Sequence, residues 1–416
     1  MVLVFRWLLS MASKLGSKNF ATHELDGLSA DVLQDHGTMC AGLVAATCVS
    51  KCGVAYGAKL SSLVIIDDRV TDELEAKALN YMYDDNHIYS MSYGDEDQPN
   101  SLAQLHKSIR VAFKKGAIHG RNKKGSLFVV SAGNGKNNHD NCAFDESCNS
   151  IYTIAVGSID RHDKWSQFSE ACTSVIVTAY SGSTLFDGLS TVSGMLYPEA
   201  GMISGTSASA PLVSGVLALV LQVRRPDLSW RDIQHLIVES AVPISLDDES
   251  WQMTYSGRMY SPQFGYGKIN AGIIVENAKE HVKVGDHVLF ETYDLAINAV
   301  IPDNGGINAS YVVEEQDVNQ LGLFKIEHVQ VIVSLKHMLR GDVAVDLISP
   351  NDVVSRLIAP RKGDDSSKGL NEAVLMSVAH WDEPPTGKWT LRVSDIYNRK
   401  HGKLLFWKLK LYGARY

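Results

Sequence analysis

Three short segments of the chain carry side chains whose types and spacing could perform nucleophilic chemistry. The first is Gly-Thr-Ser-Ala-Ser-Ala-Pro around Ser207, which precedes an apolar stretch that reaches Arg224. Small neighbours would let a substrate backbone approach Ser207, and a helix N-terminus favours negative charge that develops beside it. Taken alone, Ser207 could equally be a helix N-cap. The segment therefore predicts a helix start at Ser207 and a candidate nucleophile there.

The other two segments supply a candidate base and a candidate hydrogen-bond donor. His36 opens the segment Asp-His-Gly-Thr-Met-Cys-Ala-Gly, where a helical backbone could fix a general base at a cleft. Asn134 follows the buried-strand pattern Leu-Phe-Val-Val-Ser-Ala-Gly, so its amide could donate to an oxyanion. An isolated histidine in a first helical turn is usually structural, and an isolated Asn-Gly is typical of a turn. Together with Ser207, the two residues favour a serine hydrolase.

Hydrophobic patterning predicts two kinds of structure along the chain. Between residues 36 and 280, buried-strand patterns at 60–66, 126–130, 151–156 and 174–179 alternate with helical patterns at 71–83, 101–120, 207–224 and 229–240. Ser229 and Asp232 form the signature of a capping box at the start of the last helix. This alternation predicts an α/β fold, a parallel sheet with helices on both faces.

Short alternating segments replace this pattern after about residue 285. They predict strands at residues 328–334, 342–348, 389–394 and 403–411, separated by turn signals. Short strands at such spacing are typical of an all-β sandwich. We therefore expect two domains, residues 1–285 and residues 286–416.

Composition excludes several classes of protein. The chain has 416 residues, of which 45% are hydrophobic and 21% charged, as in soluble globular proteins. A net charge of −8 argues against nucleic-acid binding, which needs clustered Lys and Arg. No apolar run reaches the ~18 residues that a membrane span requires. We also expect the protein to be a monomer. The six cysteines match neither a disulfide scaffold nor a zinc ribbon, and the residues alone do not decide their pairing.

Taken in order, the segments around His36, Asn134 and Ser207 resemble the subtilisin-like serine proteases, and within them the kexin and furin type of proprotein convertase. Further segments share the resemblance: Asn-Ser-Ile-Tyr at residues 149–152, Ser-Glu-Ala-Cys at 169–172 and Trp-Arg-Asp-Ile-Gln at 230–234. In the second half, residues 340–350, 376–381 and 407–413 resemble the P-domain that follows the protease in that family. The resemblance extends from residue 33 to residue 416.

The resemblance implies a calcium-dependent serine endopeptidase that cuts polypeptides after Lys-Arg or Arg-Arg in the secretory pathway, at the Golgi or the cell surface. It makes Ser207 the nucleophile, His36 the general base and Asn134 the oxyanion donor. It also implies a disulfide between Cys142 and Cys172.

Acidic residues complete the site that the resemblance implies. Asp97 and Asp145 would line the pocket for the basic residue just before the cut, where carboxylates meet a guanidinium or ammonium group. Asp140 and Glu170, with Asp97, would hold calcium, which prefers oxygen ligands. Two further acids would serve the more distant basic subsites, namely Asp72 and Glu75.

The catalytic acid of the family has no counterpart in this sequence. A subtilisin triad runs Asp, His, Ser along the chain, so an apolar strand ending in Asp should precede His36. Asp26, Asp31 and Asp35 instead lie in a polar stretch, and residues 1–14 stand where the strand should be. We therefore expect the position of that strand to be vacant and a sheet edge to be exposed.

Two explanations remain for the missing acid. Either the chain is a truncated or mis-spliced copy of an active enzyme, or it is a catalytically impaired homologue that binds basic peptides or a protein partner. The joint presence of His36, Asn134 and Ser207 with the pocket carboxylates favours truncation.

Overall fold

The computed structural model describes residues 2–6, 17–20, 22, 35–48, 51–65, 71–94, 96–193, 199–224, 227–302, 305–397 and 402–415. The strands of the first half are β1 Val2–Arg6, β2 Lys18–Asn19, β3 Lys59–Val64, β4 Ile88–Met91, β5 Leu127–Ser131, β6 Thr153–Ile159, β7 Val175–Tyr180, β8 Leu189–Ser193, β9 Glu199–Ile203, β10 Gln252–Met253 and β11 Met259–Tyr260. Its helices are α1 Asp35–Ala45, α2 Asp72–Ala78, α3 Lys107–Lys123, α4 Thr206–Val223, α5 Trp230–Ser240 and α6 Ala271–Glu280.

The predicted α/β fold is confirmed. A seven-stranded sheet has the order β2-β3-β1-β4-β5-β6-β7, with β4 to β7 parallel to one another. Helices cover both faces, as alternate residues of β5 show: Phe128 packs on Phe113 of α3, with ring centroids 5.0 Å apart, whereas Val129 faces the core that α4 lines. Because both faces are covered, every residue of β6 is buried.

The strand expected to be missing has a substitute. The prediction of a vacant strand position was wrong, because β1 lies between β3 and β4 and pairs with both. The two pairings are antiparallel, so β1 runs opposite to the rest of the sheet. Either strand direction satisfies the backbone N–H and C=O groups of the flanking strands, so β1 closes the gap although it is antiparallel to both neighbours.

Two predicted helices are shorter than expected. Residues 101–106 were predicted as helix, but α3 begins at Lys107 and His106 is its N-cap. The preceding chain is extended instead, with Ala103 bridged to Asp145. Helix α2 ends at Ala78, short of the predicted residue 83. By contrast, α4 and α5 match their predictions to within one residue, and the capping box of Ser229 and Asp232 is present in full.

The second half of the chain is the predicted β-sandwich. Its elements are β12 His287–Glu291, β13 Leu295–Ile301, β14 Gly306–Val313, α7 Glu315–Leu321, β15 Leu323–His337, β16 Val343–Ile348, β17 Val354–Ile358, β18 Leu370–Ser377, β19 Gly387–Asp395 and β20 Gly402–Arg415. One sheet has the order β12-β20-β15-β18, with β13 also on β20, and the other the order β14-β19-β16-β17. Trp389 and Trp407 are fully buried in the core of this half.

The two halves pack against each other through buried polar contacts. Arg231 of α5 donates through Nε to Glu327 Oε2 of β15 at 2.7 Å, and His235 Nε2 lies 2.9 Å from Glu327 Oε1. The Met376 N–H donates to Asn149 Oδ1 at 2.9 Å. Buried charges need such partners, so these contacts specify how the sandwich sits on the first half.

The cysteines form two disulfides, Cys48–Cys52 and Cys142–Cys172, the second of which was predicted. Cys40 and Cys148 are free and buried. Among the described residues, Thr206–Val223 is the one helix whose length and composition could cross a membrane, and 72% of it is buried inside the protein.

Candidate active site

A cavity of about 220 Å³ opens where strands β4 and β5 end. The carboxyl ends of parallel strands share one edge of a sheet, where ligands commonly bind. Residues predicted from four separate segments line this cavity: Asp97, Asn134, Asp140, Asp145, Glu170 and Ser207. The fold therefore brings the candidate nucleophile, the candidate oxyanion donor and four acidic side chains into one site.

Hydrogen bonds fix Asn134 beside the start of α4. Its Oδ1 accepts the Thr206 N–H at 2.8 Å and the Thr206 hydroxyl at 3.1 Å. Because both lone pairs of Oδ1 are engaged, the amide nitrogen Nδ2 is the atom left to face the cavity as a donor. Gly205 has a φ of 80° and lies so close to Asn134 that an added Cβ would stand 3.0 Å from Oδ1. Only glycine adopts this conformation easily, so the segment before Ser207 has a structural need for it.

Ser207 lies in the first turn of α4, and contacts from two other elements surround its carbonyl. Ser92, just after β4, donates to the Ser207 carbonyl oxygen at 3.0 Å, and the Cys40 thiol donates to the same oxygen at 3.5 Å. Cys40 stands one helical turn after His36 on α1, so it shares a face with that histidine. The contacts place the face of α1 that carries His36 against the helix that carries Ser207.

His36 is exposed, and the surrounding protein lowers its pKa below the ordinary value because part of its hydration is lost. A neutral imidazole can accept a proton at neutral pH. Within the described residues, no hydrogen bond or ion pair joins His36 to a carboxylate, and none joins its ring to the Ser207 hydroxyl. A base without an acidic partner lacks the group that selects its tautomer and stabilises its charged form.

The segment that forms β1 offers no acid in either direction, since residues 1–23 contain no Asp or Glu. At the sheet edge where β4 ends, Val2 is paired with Met91 and Leu63, so β1 begins there instead of ending there. The candidate acids Asp26 and Asp31 lie outside the described residues. Asp35 belongs to α1, and its side chain also lies outside the described part.

The cavity wall presents several carboxylates. Asp97 Oδ1 accepts the Asn134 N–H at 3.1 Å, and Asp145 Oδ1 accepts the Ser147 N–H at 2.7 Å. Both side chains are half-buried. These backbone contacts help to hold the two carboxylates in place in the cavity wall.

Three of the acidic residues converge on Gly135. An added Cβ at this glycine would stand 2.7 Å from Asp140 Cβ and 2.9 Å from Glu170 Oε1. It would also stand 3.1 Å from Asp97 Cβ. Glu170 is 5% exposed, and its pKa is raised well above the usual range by burial and by the neighbouring carboxylates. Such crowded negative charge suits a cation, and an all-oxygen donor set suits calcium.

The carboxylate oxygens of Asp97, Asp140 and Glu170 are not arranged around one common metal position in the structure. Among the described residues, no three His, Cys, Asp or Glu side chains form a ready-made metal cluster. One reason is that Asp140 is already paired: its Oδ1 lies 2.8 Å from Arg361 Nη1, a residue of the second half. The residues fit calcium by chemistry and proximity, with some rotation of the carboxylates.

The two acids predicted for more distant subsites differ in position. Glu75 Oε1 accepts the Tyr93 hydroxyl at 2.7 Å, and Tyr93 lines the cavity, so Glu75 borders the site. Asp72 stands in the first turn of α2, exposed and outside the cavity lining.

Sequence reasoning missed several residues of the cavity wall. Tyr93 and Phe144 line it, and so does Ser101, which was predicted to be helical. Arg361 reaches the same wall from the far half of the chain. A proline-flanked arginine in a loop has no spacing signal that could have revealed this, since only the packing of the two halves brings it here.

Comparison with known proteins agrees with this architecture. Residues 16–268 match the Subtilase family, and residues 326–411 match the proprotein convertase P-domain. The chain is 36% identical over 408 residues to the dibasic-processing endoprotease of Yarrowia lipolytica, covering 96% of this chain and 42% of that protein. It is 36% identical over 384 residues to kexin of Saccharomyces cerevisiae, covering 91% of this chain and 47% of that protein.

The fold also has a solved counterpart. The crystal structure of the serine protease of Aeromonas sobria superposes with a TM-score of 0.84 at 22% identity, covering 96% of this chain and 84% of that one. At this identity the likeness concerns the fold alone. The chain spans about half the length of the curated relatives it matches.

These matches define the class: the chain belongs to the subtilase family. Its second half carries the P-domain, as the sandwich of strands β12 to β20 indicates.

Proposed function

We propose that this protein is a calcium-dependent serine endopeptidase that processes polypeptides after paired basic residues, Lys-Arg or Arg-Arg. One observation carries the proposal: the cavity that contains Ser207 and Asn134 is walled by Asp97 and Asp145. Guanidinium and ammonium groups bind carboxylates through charge-assisted hydrogen bonds. An acidic pocket beside a nucleophile therefore selects substrates with a cationic side chain next to the bond that is cut.

In the proposed reaction, Ser207 Oγ attacks the carbonyl carbon of that bond and His36 accepts the hydroxyl proton. Asn134 Nδ2 donates to the oxygen that becomes negative, because Thr206 already occupies the amide oxygen. His36 then gives its proton to the leaving amine, and a water molecule repeats the sequence to release the acyl group. The lowered pKa of His36 supports its role as a neutral base.

Calcium would be held by Asp97, Asp140 and Glu170. The cation would neutralise the charge that crowds around Gly135 and would stiffen the segments that form the floor of the pocket. It takes no part in the bond-breaking steps, since the nucleophile, base and oxyanion donor are all side chains.

A second candidate function is that of a catalytically impaired homologue that binds basic peptides or a protein partner. It is favoured by the reversed strand β1, which places Val2 at the sheet edge where the family has an acid. The acidic pocket would still bind a cationic side chain without that acid.

One experiment separates the two. The purified chain is offered a fluorogenic Lys-Arg peptide and its Lys-norleucine counterpart, and both cleavage and binding are measured beside Ser207→Ala. Cleavage that prefers Lys-Arg and disappears in Ser207→Ala supports the peptidase. Selective binding without cleavage supports the impaired homologue, and the absence of both refutes the acidic-pocket hypothesis.

Three further expectations remain proposals. We propose that the domains divide near residue 285, just before β12, that the protein acts in the secretory pathway and that it is a monomer. Its proposed partners are polypeptide substrates that contain paired basic residues, and we do not expect it to bind nucleic acids.

A further inference from the structure

An arginine of the P-domain reaches the wall of the acidic pocket. Arg361 follows β17 and is 1% exposed. Its backbone N–H donates to the Gly341 carbonyl at 2.9 Å, and an added Cβ at Gly341 would stand 2.3 Å from the Arg361 carbonyl oxygen. This close approach fixes the loop that carries Arg361 on its own domain while the side chain extends into the other one.

The guanidinium of Arg361 touches three residues of the cavity lining. Nη1 donates to Asp140 Oδ1 at 2.8 Å, and Nη2 donates to the Ser101 carbonyl at 3.0 Å. Its central carbon lies 3.3 Å from the centroid of the Phe144 ring. Asp140, Ser101 and Phe144 all line the cavity that contains Ser207. One side chain therefore contacts a carboxylate, a backbone oxygen and an aromatic ring of the same wall.

A second layer holds Arg361 in place. Nη2 also donates to Asp364 Oδ2 at 2.7 Å, and Arg340 Nε donates to the same oxygen at 2.7 Å. Arg340 Nη2 in turn donates to the Asn100 carbonyl at 2.8 Å, next to Ser101. The planar guanidinium fork allows such simultaneous contacts, whereas the point charge of lysine cannot reproduce them. Two arginines of the P-domain thus contact Asn100 and Ser101, of which Ser101 was predicted to be helical but lies outside α3.

We propose that Arg361 is a positioning residue for the specificity pocket, through which the P-domain sets how strongly the first domain prefers a cationic side chain. It holds the Asp140 carboxylate and the Phe144 ring in the geometry that lets the pocket carboxylates face the ligand. The inference rests on the proposed function of the pocket, and it adds a residue of the second domain to that pocket's construction.

Another contact between the two halves provides a matched control. Arg258 Nη1 lies 2.7 Å from Asp382 Oδ2, and neither residue lines the cavity. Loss of this pair weakens the contact between domains without touching the pocket. A role of Arg361 that was merely structural would make its variants resemble those of Arg258.

The test uses the full chain and measures the affinity for a Lys-Arg peptide amide and for the matching Lys-norleucine peptide amide. The ratio of the two dissociation constants reports selectivity for the cation, and thermal unfolding reports stability. Coupling between such positions changes binding by roughly 3- to 30-fold. We expect Arg361→Gln to lower the ratio by about this factor, Arg361→Lys to lower it less, and Arg258→Gln to leave it unchanged.

Each outcome has a distinct meaning. If the ratio of the two dissociation constants is unchanged in Arg361→Gln, the inference is wrong and the proposed function still stands, whatever happens to the melting temperature. Should Arg361→Gln fail to fold, Arg361→Lys decides the matter, because it keeps the charge and loses the fork: an unchanged ratio overturns the inference. A wild-type chain without any preference for the Lys-Arg peptide overturns the proposed function and the inference with it.

Discussion

Replacement of Asp145 by Asn is the sharpest test of the acidic pocket. Asp145 is half-buried in the cavity wall, where its Oδ1 accepts the Ser147 N–H at 2.7 Å. An asparagine keeps that acceptor and the shape of the side chain. The substitution removes the negative charge and replaces one acceptor oxygen by an amide NH2 group, which cannot accept a hydrogen bond from a guanidinium or ammonium group. The variant should therefore fold normally and bind cationic side chains poorly.

The expected loss can be sized from burial and from the remaining charges. Truncation of one partner of a buried, hydrogen-bonded charge pair costs about 2–5 kcal/mol. Asp145 is only half-buried and Asp97 remains in the wall, so the lower part of that range applies. A loss of ~2–3 kcal/mol corresponds to an affinity about 30- to 150-fold weaker.

Isothermal titration of the purified chain with a Lys-Arg peptide amide measures this loss. The matching Lys-norleucine peptide controls for contacts outside the pocket, and its affinity should change little. Asp247→Asn serves as the charge control, because Asp247 pairs with Lys164 on the surface and does not line the cavity. Equal weakening for both peptides, or a strong effect of Asp247→Asn, would refute the assignment of Asp145.

Three further outcomes are expected. In subtilisin, loss of the triad aspartate alone lowers turnover about 3 × 10⁴-fold. Cleavage of a Lys-Arg substrate by this chain should therefore be weaker than that of a complete triad by about that factor, and absent in Ser207→Ala. Robust Ser207-dependent turnover would show that another acid orients His36. A calcium chelator should lower the melting temperature, since a ligand at 100 times its Kd stabilises by ~2.7 kcal/mol, and Glu170→Gln should abolish the response; an unchanged melting curve would argue against the metal site. Burial lowers the pKa of His328 to about 3, below its unfolded value of about 6.5. Because the unfolded state binds the proton first, the free energy of unfolding should fall as pH drops from 6.5 toward 3. Urea titrations should show a shallower decline with pH in His328→Gln, and parallel declines in the variant and the wild type would contradict this.

Much of the fold and part of the site could be read from local patterns. The helix that starts at Ser207, the strand that leads to Asn134 and the helix that carries His36 each depend on a few neighbouring residues. Hydrophobic periodicity and end signals act over such short distances, and the capping box of Ser229 is a clear instance. The alternation of elements then predicted the layered sheet, and the shorter alternating segments predicted the sandwich.

The strand that replaces the family's acid strand could not be predicted in this way. Its five residues, Val2–Arg6, are four apolar residues followed by an arginine, a pattern that indicates a strand without giving its direction. Parallel and antiparallel ladders both satisfy the neighbouring backbone groups. In the structure β1 lies between β3 and β4, antiparallel to both, with Val2 at the edge near the site. This pairing joins residues that are far apart in the chain.

The sequence alone thus determined the elements that carry Ser207, His36 and Asn134, because local hydrogen bonding and periodic burial decide where such elements begin. Tertiary structure decided which distant side chains meet around them. Residues 101–106 have a helical pattern but are not helical in the structure, where Ala103 pairs with Asp145 in a β-bridge. The Arg361 side chain of the P-domain contacts the first domain, where its guanidinium binds the Asp140 carboxylate and stacks on the Phe144 ring. Such contacts join residues that are far apart in the chain, so no local pattern contains them.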